Sequence, residues 1–195
     1  MTPAGEETPE RVLDEYLVVL SQAGAVDALD HLVRRWTPRL LRYAARLLGG
    51  SAGSTETARD VVQETWIGAL RGLRSLRDPA RFPGWIYGIA TRKCADAIRA
   101  RSRQQRLAAR ADVSNGTTLE RPVTPEDRFD LATAIRRLPP DHRAVLHLFY
   151  GAELSMEEIA TALAIPAGTV KSRLHYAREA LKRHLGTGPS VRSRP

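Results

Sequence analysis

A single cysteine, three lysines and no apolar run approaching the ~18 residues that cross a bilayer set this 195-residue chain apart before anything it has in abundance. With Cys94 alone, no intrachain disulfide and no cysteine zinc cluster can form, which fits a reducing compartment. The stretch from Met1 to Glu10 is acidic and lacks the basic-then-apolar order of a signal peptide. These absences predict a cytoplasmic protein without membrane insertion. Catalytic signatures are missing too: there is no phosphate loop, no nucleophile elbow and no zinc-binding pair. His142 and His147 are five residues apart, a poor spacing for two ligands on one helix face. Glu6-Glu7 and Glu157-Glu158 are adjacent pairs whose members point different ways. Hence no catalytic residue, metal site or cofactor is expected, and the protein reads as a non-enzyme.

What is present is positive charge, nearly all of it arginine, since Lys93, Lys171 and Lys182 are the only lysines. The formal net charge is +8 and the pI about 10.3. Residues 85–110 hold a net +6 and residues 165–195 another +6, on a remainder of −4. Two basic clusters on a mildly acidic body suggest two surfaces for a polyanion, because each cation placed on a phosphate releases condensed counterions. Two solvated helix faces would look the same at this level.

Strand-like alternation is also lacking, so the fold class predicted is all-α. Helical periodicity covers Arg11 to Leu20, then Val26 to Leu48, closed by Gly49-Gly50, with Pro38 expected to kink it or start a new turn. A third helix runs from about Thr57 to Leu76, its apolar positions Ala58, Val61, Val62, Thr65, Ala69, Leu73 and Leu76 spaced by three and four. Asp78-Pro79 breaks it, and a fourth helix runs from Phe82 to about Arg101. Residues 103–124 are rich in Gln, Ala, Ser, Asn, Gly and Thr and have few apolar anchors, so they read as a flexible linker. Helices resume over about Glu126 to Leu138, Asp141 to Tyr150, Ser155 to Leu163 and Thr169 to Leu185. The division expected is two small helical domains, 10–102 and 125–185, joined by that linker, with 186–195 a disordered basic tail.

Ser155 to Leu185 carries the sharpest signal. Ser155 with Glu158 three residues on forms a capping box. Met156, Ile159, Ala160 and Leu163 then make one apolar face. Ala164-Ile165-Pro166-Ala167-Gly168 forbids a continuous helix, and Thr169 reads as the N-cap of the next. Val170, Leu174, Ala177, Leu181 and Leu185 line its inner face. Lys171, Ser172, His175, Tyr176, Arg178 and Lys182 line its outer one. This is the pattern of a helix-turn-helix, whose second helix enters the major groove. Lys171 and His175 can donate to guanine, Ser172 can donate or accept, and Tyr176 can touch a thymine methyl. Arg173 and Arg178 suit phosphate. An ordinary helical hairpin with a solvated basic face fits the pattern as well.

Two further surfaces stand out. On the third helix Asp60, Gln63, Glu64 and Ile67 share a mixed face away from the apolar stripe, suited to docking a helix pair bearing arginines, or simply solvated. On the fourth, Trp85, Arg92, Asp96 and Arg99 fall on one line while Ile86, Ala90 and Ala97 face elsewhere. A tryptophan in register with arginines suits unpaired bases, stacking being worth ~1–3 kcal/mol per base. Trp85 as a core residue at the stripe's edge is the alternative.

Leu138-Pro139-Pro140, Ser155-Met156-Glu157-Glu158-Ile159-Ala160 and Gly168-Thr169-Val170-Lys171-Ser172-Arg173-Leu174 together resemble region four of the extracytoplasmic-function, or group 4, sigma factors. Ala58-Arg59-Asp60-Val61-Val62-Gln63-Glu64-Thr65 resembles their region two, as do Phe82, Trp85-Ile86-Tyr87-Gly88-Ile89-Ala90, Asp96 and Arg99. The likeness spans roughly residues 10–102 and 125–185 in the right order. It implies a dissociable initiation subunit of bacterial RNA polymerase that reads the minus-thirty-five element with Thr169, Lys171, Ser172, Arg173, His175, Tyr176 and Arg178. It implies a minus-ten contact through Arg77, Asp78 and Arg81 in the loop, where a flipped base would be held, and through Trp85, Arg92, Lys93, Asp96 and Arg99. Binding the melted state more tightly would favour open DNA without ATP. Asp60, Gln63, Glu64 and Ile67 would meet the clamp helices of the largest polymerase subunit. The flap of the second subunit and an anti-sigma factor are further implied partners.

Three residues depart from the family pattern: Arg92 where asparagine is usual, Ala164 in place of the turn glycine, and Tyr176 where arginine is common. If Ala164 needs positive φ, it costs about 1 kcal/mol. Two other functions share parts of the pattern. A free-standing helix-turn-helix regulator would bind duplex as a dimer, and a helical adaptor would bind no DNA.

Overall fold

The computed structural model describes residues 8–49, 54–111 and 131–186. Among these there are eight helices and no strand: α1 (Pro9–Gln22), α2 (Val26–Leu48), α3 (Ser54–Gly72), α4 (Phe82–Ala111), α5 (Leu131–Arg137), α6 (Pro140–Gly151), α7 (Met156–Leu163) and α8 (Ala167–Gly186). Two single 3-10 turns, Leu73–Ser75 and Pro79–Arg81, connect α3 to α4. The all-α expectation holds.

The first lobe is α1 to α4. Thr8 caps α1 through its side chain, and Pro9 sits in the first turn, where its missing N–H costs nothing. α2 remains helical through Pro38 and stops at Gly49, whose φ of 97° lets its N–H reach back to the Ala45 and Arg46 carbonyls. It buries Leu32, Trp36, Leu40, Tyr43, Ala44 and Leu47. From α3 come Ala58, Val61, Val62, Thr65 and Ala69, as the three-and-four spacing predicts. From α4 come Phe82, Ile86, Tyr87, Ala90 and Cys94. Trp36 meets both Phe82 and Tyr87 edge-on, at 5.2 and 5.7 Å. The buried carboxylate Asp14 is held by Arg35 at 2.6 Å, tying α1 to α2. Gln22 donates to the Leu73 and Leu76 carbonyls at 2.9 and 2.7 Å, tying α1 to the 3-10 turn that follows α3.

α4 runs ten residues past its expected end at Arg101, into the segment read as linker. Residues 103–111 have few apolar anchors, but Arg, Gln, Leu and Ala are all strong helix formers, so propensity carries the helix where packing does not. Residues 112–130, with the rest of the expected linker and the start of the helix predicted from Glu126, lie outside the described residues. So does the expected tail from residue 187.

The second lobe is α5 to α8. The capping box is present in full: Glu158 N–H donates to the Ser155 hydroxyl, and Ser155 N–H to the Glu158 carboxylate. Ala164 ends α7 at φ 52° and ψ 45°, the left-handed conformation. α8 begins two residues before the expected start. Thr169 N–H and Val170 N–H both donate to the Pro166 carbonyl, so Thr169 lies inside the first turn and is not its cap. Val170, Leu174 and Ala177 are buried as expected.

The two lobes are packed together. α7 crosses α4 at Gly84 and Gly88, and their cores are continuous. A Cβ at Gly88 would stand 2.7 Å from the Ala162 carbonyl oxygen, and one at Gly84 3.1 Å from that of Glu158. The two glycines are one turn apart, so they leave a strip of bare backbone on which α7 lies. Arg11 of α1 adds an ion pair to Glu158 at 3.1 Å. α2 also meets α6, where the guanidinium of Arg46 reaches Gly151.

Candidate nucleic-acid interface

The outer face of α8 is open. Lys171, Ser172, His175, Tyr176 and Arg178 are exposed, and Thr169 is half-buried. Several of them already have partners within the lobe. Arg173 is half-buried and paired with Asp141 of α6 at 2.9 Å. Arg178 donates to the Tyr150 hydroxyl at 2.8 Å and lies over the Tyr150 and Phe149 rings. Tyr176 meets the His175 ring at 5.7 Å and the His142 ring of α6 at 6.5 Å. The Ser172 hydroxyl donates to the Thr169 carbonyl at 3.0 Å. The residues therefore form one basic, aromatic strip braced by α6. Asp141, His142 and Tyr150 belong to this strip but were not among the expected site residues. They lie outside the helix-turn-helix pattern, and only the packing of α6 on α8 brings them there.

The loop before α4 is ordered by its own residues. Asp78 caps the turn Pro79–Arg81 by accepting from Ala80 N–H at 3.1 Å, and pairs with Arg81 at 3.1 Å. Arg77, Asp78 and Arg81 are all exposed. Trp85 is half-buried: one side packs beside Gly72, 3.0 Å from where a Cβ would stand, and near Phe82, while the other reaches the surface. Arg92, Asp96 and Arg99 continue that line in the open, with Arg99 paired to Asp96 at 2.6 Å.

On α3, Asp60, Gln63 and Glu64 are exposed and Ile67 is half-buried, giving the mixed face that the spacing predicts. Lys93 of α4 pairs with Glu64 at 3.0 Å, so the basic line and the acidic face adjoin. A cation there would otherwise add to the charge offered to a phosphate.

Where α2 meets α6, burial together with Arg46 and Arg143 pushes the His147 imidazole down to about 4. The Nε atom of Arg143 and Nε2 of His147 are buried without partners, and burial lowers the guanidinium of Arg143 as well. Cys94 is fully buried and pushed up to about 12, so the thiol is inert packing. Among the described residues no cluster of metal-ligating side chains occurs, and no helix is long and apolar enough to cross a membrane.

The family model for Sigma-70 region 2 matches residues 32–104, and that for Sigma-70 region 4 matches residues 134–183. The chain is 33% identical to the ECF RNA polymerase sigma factor SigE of Mycolicibacterium smegmatis, over 94% of this chain and 70% of the relative. It is also 33% identical to the ECF RNA polymerase sigma factor SigW of Bacillus subtilis, over 83% of this chain and 91% of that protein. Among solved structures it is similar to CnrH in complex with the cytosolic domain of CnrY, with a TM-score of 0.65 at 26% identity, covering 91% of this chain and 99% of that one. The fold is shared by the sigma factor RpoE of Bartonella quintana, solved with the anti-sigma factor NepR, at a TM-score of 0.65, 22% identity and coverage of 84% and 100%. With both regions in order along one chain, and relatives matched over most of their length, this protein belongs to the extracytoplasmic-function family of RNA polymerase sigma factors.

Proposed function

We propose that the chain binds core RNA polymerase and directs promoter-specific initiation, acting by binding alone in the cytoplasm as a group 4 member of its family. The outer face of α8 reads the minus-thirty-five element in the major groove. Arg77, Asp78 and Arg81, with Trp85, Arg92, Lys93, Asp96 and Arg99, take the minus-ten element and hold unstacked bases of the opened strand. Asp60, Gln63, Glu64 and Ile67 dock on the clamp helices of the largest subunit, and the second lobe meets the flap of the second subunit. An anti-sigma factor holds the chain in reserve.

The observation that carries this reading is the simultaneous exposure of three chemically different faces on two lobes: a basic strip on α8, a tryptophan–arginine line on α4 and an acidic-edged face on α3. A stand-alone repressor has no need of the third. Two promoter elements lie apart along the duplex, so the packed lobes part when the chain joins polymerase, and the α4–α7 contact is what is given up.

Run-off transcription with core polymerase on genomic fragments tests the proposal. New start sites in the presence of the chain are expected. Polymerase that neither associates with it nor initiates at new sites rejects the proposal.

A further inference from the structure

Three recognition-strip residues are gripped from α6: Arg173 by Asp141, Arg178 by Tyr150 and Tyr176 by His142. The last contact differs in kind. Tyr176 is 63% exposed, so nothing in the core fixes its ring. Of its two imidazole neighbours, His175 is the preceding residue on α8 and turns with that helix. His142 comes from another helix and meets the ring edge-on, with centroids 6.5 Å apart at an interplanar angle of 89°. His142 is itself anchored. Its Nδ1 is buried against the lobe. One edge of the imidazole is thus seated in the lobe while its ring abuts the tyrosine.

We propose that His142 is a positioning residue for promoter selectivity: it holds the Tyr176 ring in the pose that meets a base, and so sets the preference at one position of the upstream element. This rests on the reading of α8 as the upstream DNA contact. A tyrosine held before DNA arrives loses less freedom on binding than a loose one, and it meets the matched base in one geometry. Without His142 the ring swings, and a thymine methyl and its alternatives are met about equally.

The test uses the full chain assembled with bacterial core polymerase and a promoter library randomised across the upstream element. Parent, His142→Ala, His142→Phe, His142→Gln, Tyr176→Ala and Lys171→Ala are compared, with thermal melting as the check on folding. Tyr176→Ala identifies the position its ring reads. His142→Ala is expected to flatten preference at that same position by roughly fivefold, the low end of what one good base contact contributes. His142→Phe keeps a ring edge against Tyr176 and retains the preference, whereas His142→Gln does not. Adding His142→Ala to Tyr176→Ala changes nothing further. The proposal fails if His142→Ala leaves the parent preference intact, if it weakens every position alike, or if Gln rescues as well as Phe. A Lys171→Ala chain unchanged at every upstream position would instead reject α8 as the DNA contact, whatever His142 does.

Discussion

Gly88 offers the sharpest physical test of how the two lobes are held. A side chain there begins 2.7 Å from the Ala162 carbonyl oxygen and 3.3 Å from its Cα, both backbone atoms of α7. Ordinary contacts open at ~3.5 Å, so even alanine requires α7 to retreat by roughly half an ångström or more. Overpacking of this kind costs ~1–3 kcal/mol. Gly→Ala also strengthens α4 as a helix by about 1 kcal/mol. The two effects fall on different equilibria. Helix propensity acts in open and closed chains alike, whereas the clash exists only when α7 lies on α4. Gly88→Ala is therefore expected to lower the closed-to-open ratio about 5–150-fold without unfolding either lobe, and Gly88→Leu by more. Small-angle scattering of the free chain reads this as a larger radius of gyration, and amide exchange reads it as lost protection in α7. Gly168→Ala is the control, since a Cβ there meets nothing within 4 Å. If Gly88→Leu scatters and exchanges like the parent, the backbone contact between α4 and α7 is not what keeps the chain closed.

Three other outcomes are expected. The His147 imidazole is held down near 4 by burial and by Arg46 and Arg143, so below pH 6.5 the unfolded chain binds a proton that the folded chain does not. Stability is therefore full above that pH and falls as pH drops toward 4, by on the order of 2 kcal/mol at pH 5. Thermal melting at pH 7 and 5 should show the loss, and His147→Phe should reduce it. Ala164→Gly relieves a left-handed residue at φ 52° and should stabilise the second lobe by about 1 kcal/mol, a rise in melting temperature of about 2–4 °C; an unchanged or lower value contradicts the strain argument. Lys171→Ala with His175→Ala should weaken upstream-element binding about 5–150-fold and spare core polymerase, while Gln63→Ala with Glu64→Ala should do the reverse. Equal effects from both pairs would show that the two faces do not divide the work.

Much of the local structure followed from the order of residues. The apolar spacing of α3, the glycine stop at Gly49 and the Ser155–Glu158 capping box depend on neighbours within a few positions, and each forms as expected. The exposure of Lys171, Ser172, His175 and Tyr176 follows from the same period, since burial of Val170, Leu174 and Ala177 leaves them outward. Thr169 has a hydroxyl that suits a cap, yet the Pro166 carbonyl, three residues earlier, accepts the first bonds of α8. Residues 103–111 read as linker because they lack apolar anchors, although their propensity sustains α4 without them.

Sequence thus determined which segments are helical, which face of each is apolar and which chemistry the opposite face offers, because those depend on intervals of three to seven residues. Tertiary structure alone decided that α7 lies on the bare backbone of Gly84 and Gly88, that Glu64 pairs with Lys93, and that His142 faces Tyr176. These contacts join residues 29 to 74 positions apart. No periodicity reaches that far: such pairs are set by how whole helices cross, which depends on the shapes of both partners at once.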